Sequence, residues 1–236
     1  MEILSWVDYA GVAVFAATGA LAASRKQLDF IAFVFLAAAT GIGGGTLRDT
    51  ILGLTPVFWI HEEIYLYICV VVAAVVFFTA HRFESRYRLL LWLDAIGMAI
   101  FCVKGAQIGL AATGSPTAAI VTGILSSTFG GVLRDILSGE QSVLMRREIY
   151  VTAALFGSTV WVLGDYIGNV FGDQLGPYQY LSQEIASVAG FAVALFIRGG
   201  ALYWDWKMPN YKNAPGRTME EVEALIEKRR QEKTGG

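Results

Sequence analysis

Seven stretches of this chain are too long and too apolar to turn a polar face to water. They run over residues 5–23, 30–47, 64–80, 90–112, 115–138, 149–167 and 184–203. About 20 apolar residues in a helix cross the roughly 30 Å hydrocarbon core of a bilayer. The chain is 55% hydrophobic and only 16% charged, against about 25% charged in an average soluble domain. Lipid offers no partner to backbone N–H and C=O groups, so spans must satisfy their own, as helices do. The expectation is an all-α integral membrane protein of seven transmembrane helices. The N-terminus, MEILSWVDYAG, has no basic leader and no small-residue cleavage site, so the first run reads as a retained span and not a signal peptide.

Charge sign orients the spans. Arg25 and Lys26 follow the first run, His81, Arg82, Arg86 and Arg88 the third, Arg146 and Arg147 the fifth, and a Lys/Arg-rich tail the seventh. The alternate loops are poor in cations. The positive-inside rule puts the N-terminus outside and the C-terminus in the cytoplasm, which suits a multi-pass protein of the cell (inner) membrane. Cys69 and Cys102 fall inside apolar runs and read as buried thiols.

The first two thirds of the chain repeat at a constant offset of 86 residues. Asp8 meets Asp94, Gly11 meets Gly97, Phe15 meets Phe101, and Gly19 meets Gly105. Gly44-Gly45-Thr46-Leu47-Arg48-Asp49 meets Gly130-Gly131-Val132-Leu133-Arg134-Asp135, and Gly53 meets Gly139. Each unit holds three spans, an odd number, so the second copy enters the membrane from the opposite side. The organisation is an inverted 3+3 repeat, 5–80 and 90–167, plus a seventh helix at 184–203, within a membrane domain over 1–203. Residues 204–236 form a cytoplasmic tail with a short helix at 217–233.

The second span reads Gly41-Ile42-Gly43-Gly44-Gly45. Each interior glycine costs a helix about 1 kcal/mol relative to alanine, so the expectation is that this helix breaks there. The fifth span repeats the feature with Ser126-Ser127-Thr128 before Gly130-Gly131. Broken helices at matching positions of inverted halves mark a transport path. The competing reading is close helix packing through small residues. No Gly-Lys-Ser/Thr sequence supports a phosphate loop. His61 and His81 lie at opposite faces, and no catalytic constellation appears, so an enzyme is not expected.

Ionisable residues in spans are costly and face a cavity or a partner. The repeat predicts two clusters, one at each face: Asp8 near Arg48 with Asp49, and Asp94 near Arg134 with Asp135. They either anchor helix ends or form the mouths of a path. Lys104 lies deepest, and its repeat mate is Thr18. Lys104 either snorkels to the outer interface or points into the path as a gate or field-sensing charge, where a full crossing is worth about 2.3 kcal/mol per 100 mV.

At GIGGGTLRDTILG (41–53) and STFGGVLRDILSG (127–139), with Asp8 and Asp94 opening their units, the chain resembles the prokaryotic trimeric intracellular cation (TRIC) channel family, also labelled a glycine transporter domain or UPF0126-type membrane protein. The resemblance covers roughly residues 5–203. It implies a homotrimer with one potassium-permeable pore per subunit, hinged at Gly43, Gly44, Gly45, Gly130 and Gly131. It also implies that Lys104 sits where members carry a lysine associated with gating. Animal members carry a basic–acidic lipid-headgroup motif after the second-span glycines; here Leu47-Arg48-Asp49 stands there without the lysine.

Three classes of function remain at this point. The first is a potassium or weakly selective monovalent-cation channel, with membrane lipids and permeant potassium or sodium as its partners, no cofactor and no nucleic acid. The second is an alternating-access transporter of glycine or another small neutral solute. The third is a non-transporting scaffold, which predicts glycine breaks packed solid.

Overall fold

A computed structural model describes residues 2–142, 149–170 and 179–208, with Met219, Val222, Glu223 and Ile226 of the tail. The helices are α1 (Glu2–Arg25), α2 (Phe30–Leu52), the short α3 (Phe58–His61), α4 (Ile64–Thr79), α5 (Arg86–Thr113), α6 (Pro116–Leu137), α7 (Val151–Val170) and α8 (Gln179–Trp204). Among the described residues, seven helices are long and apolar enough to span a bilayer. They match the seven apolar runs, and α3 is the element the runs did not announce. The expected tail helix at 217–233 falls almost wholly outside the described residues; the four residues described within it are helical.

The repeat extends to the helix caps. Asp29 accepts the Ala32 N–H at 2.8 Å to start α2, and its mate Ser115 accepts from Ala118 at 3.4 Å to start α6. At the other ends stand Gly53 with φ 68° and its mate Gly139 with φ 65°. Both are left-handed positions, which only glycine adopts without strain.

The two units face each other about a pseudo-two-fold axis. Helices α1 and α5 are antiparallel: Asp8 near the start of α1 meets Lys104 late in α5, while Arg25 at the end of α1 lies over the Tyr87 ring at the start of α5. The repeat mates Phe15 and Phe101 stack on one another, with ring centres 5.4 Å apart and planes 5° from parallel. The glycines beside them leave room for the rings. A Cβ on Gly11 would lie 3.1 Å from Phe101, and one on its mate Gly97 would lie 2.9 Å from Phe15. These contacts demonstrate the inversion that the odd span number predicts. Helix α8 packs on α7 and α5, outside the duplicated core.

The expected breaks at the glycines do not form. Helix α2 runs unbroken through Gly41–Gly45, and α6 through Ser126–Gly131. Gly43, Gly44 and Gly130 serve a close crossing of α2 and α6. A Cβ on Gly44 would collide with the Ser126 carbonyl, and a Cβ on Gly130 would lie 2.5 Å from the Thr40 carbonyl. Thr40 and Ser126 are themselves mates, so the crossing is built twice around the axis. Helix propensities measured in water overstate the cost of glycine here. A backbone in lipid has no water to turn to, and two helices in near contact exclude the alternatives.

Candidate functional site

The charged residues singled out by the repeat gather at opposite ends of the α1/α2/α5/α6 bundle. At the Asp94 end, Arg134 is the centre. Its Nη1 donates to Asp94 Oδ1 at 2.6 Å and to Thr18 Oγ1 at 3.2 Å. Its Nε and Nη2 hold Asp135 Oδ1 at 3.0 and 2.9 Å. The side chains of Arg134 and Asp94 are each only 1% exposed. A buried charge of this kind persists only when its donors are matched by acceptors, and two carboxylates and a hydroxyl supply them. Gly131 keeps the space open: a Cβ there would lie 2.9 Å from Tyr150 Oη and 3.3 Å from Asp94 Oδ1. Toward that end of the bundle, Arg25 pairs with Glu140 at 3.0 Å, beside a cavity of about 10 Å³ that Arg134 and Asp135 also line.

The Asp8 end holds the mates of these groups in a different arrangement. Arg48 grips Asp49 as Arg134 grips Asp135, with Nε at 2.8 Å and Nη2 at 2.7 Å from Oδ1. The other Asp49 oxygen accepts the Phe58 N–H at 2.9 Å, which ties down α3, and Arg48 lies 5.6 Å from the Phe58 ring centre. Asp8, however, is not bonded to Arg48. Its Oδ2 pairs with Lys104 Nζ at 2.9 Å, and Arg48 acts on it only through space. The expected Asp8–Arg48 pair is therefore corrected to Asp8–Lys104. The physical reason lies at the mate position. Where the Asp94 end has the hydroxyl of Thr18, the Asp8 end has a second cation, and the lysine takes the aspartate. Lys104 neither snorkels free nor stands alone in a path.

Between the clusters the helices are closed. Thr40 and Ser127 are fully buried, and Ser126 and Thr128 nearly so. Their hydroxyls mostly turn back on their own helices, Thr40 to the Leu36 carbonyl at 2.6 Å, and Ser127 and Thr128 to the Ile124 carbonyl at 3.0 and 2.8 Å. Asp8 Oδ1 and Ser126 Oγ are buried without a hydrogen-bond partner. The two aspartates are mates, but Asp94 lies beside the buried Tyr150 hydroxyl, which hydrogen-bonds it, and Asp8 has no such neighbour among the described residues. Gly43 faces Leu133 of α6, whereas Gly41 packs on Cys69 of α4 and on α1, and Gly45 on the Phe58 ring of α3. Cys69 and Cys102 are free and buried, as the apolar runs imply.

Sequence reasoning passed over Tyr150, the Arg25–Glu140 pair, Asp165 and Arg198. Asp165 and Arg198 were findable, since both are ionisable, lie in apolar runs and are buried. The Arg25–Glu140 pair joins residues 115 apart at positions without charged mates, so the repeat carries no signal for it.

The same duplicated signature recurs in comparisons with known proteins. The family model described as "Glycine transporter" matches residues 5–81 and again residues 91–166, with starts 86 residues apart. The chain belongs to the glycine transporter family. Among its relatives, the UPF0126 membrane protein of Vibrio cholerae is 35% identical over 89% of this chain and 83% of its own length. The UPF0126 inner membrane protein YadS of Escherichia coli is 32% identical over 89% of this chain and 96% of its own. The solved TRIC trimeric intracellular cation channel orthologue from Rhodobacter sphaeroides is 46% identical, with a TM-score of 0.80 over 87% of this chain and 100% of its own. With its seven apolar helices, this member of the glycine transporter family is a multi-pass membrane protein.

Proposed function

We infer that this chain is a homotrimeric monovalent-cation channel, permeable to potassium, with one path inside each subunit between α1, α2, α5 and α6. The observation that carries this reading is the pair of mate clusters at the two ends of one glycine crossing, each built around a largely buried aspartate. Buried acid oxygens favour a cation over an anion. The likeness to a trimeric cation channel orthologue, 46% identical, supports both the ion and the assembly. In this reading the N-terminus lies outside and the C-terminus in the cytoplasm. The Asp8 cluster is then the outer mouth and the Asp94 cluster the inner one. In this reading conduction requires α2 and α6 to part where Gly44 meets Ser126 and Gly130 meets Thr40. Potassium or sodium passes without a cofactor.

A second reading, alternating-access transport of glycine or another small neutral solute, is favoured by the family description and by a crossing shut between two closed ends. Purified protein in planar bilayers separates the two. The channel reading expects unitary potassium currents, changed in conductance or gating by Lys104→Ala. Absence of current together with saturable uptake of labelled glycine into proteoliposomes would establish the carrier. Neither current nor uptake would leave a scaffold.

A further inference from the structure

At the Asp8 end, on the flank where α8 joins the duplicated core, two cavities adjoin outside the path. The upper one, about 740 Å³, lies among α1, α5, α7 and α8. The lower one, about 370 Å³, runs deeper along α5 between α1 and α8. Val7, Gln107, Ser187 and Val188 line both, so the two share a wall. Each is within the roughly 300–1,000 Å³ of small-molecule sites.

Their chemistry is graded with depth. The lower cavity is mostly apolar, walled by Val7, Ala10, Ile100, Val103, Val188 and Phe191, with Lys104 as the one charged residue among those that line it. The upper one carries two carboxylates, Asp165 and Glu184, and no lysine or arginine among the described residues that line it. Asp165 is buried, and its oxygens are oriented by amides: Asn169 Nδ2 donates to Oδ2 at 3.0 Å and Gln183 Nε2 to Oδ1 at 3.1 Å. Amides fix the carboxylate but bring no positive charge. Below it, Gln107 Nε2 and Trp161 Nε1 both donate to Ser187 Oγ, at 2.9 and 3.2 Å, and close the polar layer. An acidic chamber at the helix ends, above a mostly apolar trough at membrane depth, is complementary to an amphiphile whose headgroup ends in a cationic group.

We propose that these cavities seat one phospholipid whose headgroup bears a primary ammonium, with the ammonium between Asp165 and Glu184 and an acyl chain in the trough beside Phe191. A primary ammonium has three N–H donors for carboxylate oxygens; a quaternary one has none, and an anionic headgroup is repelled. The lipid lies against the outer ion pair, because Lys104 lines the same trough. The site stands apart from the conduction reading, and binding alone tests it.

The test is native mass spectrometry of the full chain in detergent, titrated with dioleoyl phosphatidylethanolamine, phosphatidylcholine or phosphatidylglycerol. Phosphatidylethanolamine should bind about fivefold more tightly than either of the others. Glu184→Gln, and Asp165→Asn with Glu184→Gln, should bring it to parity with phosphatidylcholine while the thermal midpoint holds. Ala10→Phe, which fills the trough, should remove binding of all three. Glycerophosphoethanolamine, which lacks chains, should not compete. Equal binding of the three lipids, a preference that survives both charge-removing variants, or competition by the chainless headgroup would each overturn the proposal. So would disulfide-linked oligomers of Val188→Cys, since Cys69 and Cys102 are buried and such links would show the trough covered by another copy.

Discussion

The two charged ends are written by the same sequence block and differ by one residue pair. At the Asp94 end, one arginine gathers Asp94, Asp135 and the Thr18 hydroxyl, and its side chain is 1% exposed. At the Asp8 end the work is split. Arg48 keeps Asp49, Lys104 takes Asp8, and the Asp8 and Lys104 side chains remain 17% and 16% exposed. One substitution across the axis, Thr18 against Lys104, thus turns a single-centred cluster into two separate pairs. The lesson is that a duplicated frame fixes where charges stand, but the number of cations present decides how they pair. The Asp94 end is the tighter lock, and the Asp8 end is the one that can rearrange without leaving a bare buried charge.

The largest expected effect breaks that contrast directly. Asp94→Ala leaves Arg134 buried with one partner fewer and should cost about 3–5 kcal/mol, whereas Asp8→Ala should cost about 1 kcal/mol or less, since the flexible Lys104 stem can carry its charge toward water. Thermal unfolding in detergent reads both, and equal losses would deny that the ends differ. Next comes the crossing they share. Gly44→Ala and Gly130→Ala each force a Cβ against a carbonyl of the other helix and should destabilise by about 1–3 kcal/mol, by similar amounts. A neutral Gly44→Ala would mean that the crossing is not close.

The smallest effect sharpens the comparison most. Lys104→Thr gives the Asp8 end the composition of the Asp94 end, so Asp8 should turn to Arg48. A double-mutant cycle between Asp8 and Arg48 should then rise from near zero to about 1 kcal/mol. No rise would show that something other than the lysine keeps the two apart.

Much of this was legible in the chain. Span number, inversion and the Asp94–Arg134 pair follow from apolar runs and one constant offset, because lipid enforces helices and a duplication enforces its own geometry. What was not legible concerns choices between near-equal partners. Asp8 had two cations within reach, and no pattern ranks Lys104 above Arg48 without the antiparallel setting of α1 and α5. The glycines of α2 pointed to a break when read one helix at a time. Only the facing helix, with the Ser126 carbonyl at Gly44, explains them as a crossing. The chamber around Asp165 depends on α8, which has no mate in the repeat.

The Phe15–Phe101 stack has one more consequence. It lies where the pseudo-two-fold meets the chain, so each ring faces its own copy. Such a contact is isologous, the kind that joins identical subunits. A half-length ancestor carrying only residues equivalent to 5–80 would present the surface that its inverted twin requires. Joining two copies in tandem with three spans apiece freezes that antiparallel dimer into one chain, and frees each side of the axis to diverge, as Thr18 and Lys104 have.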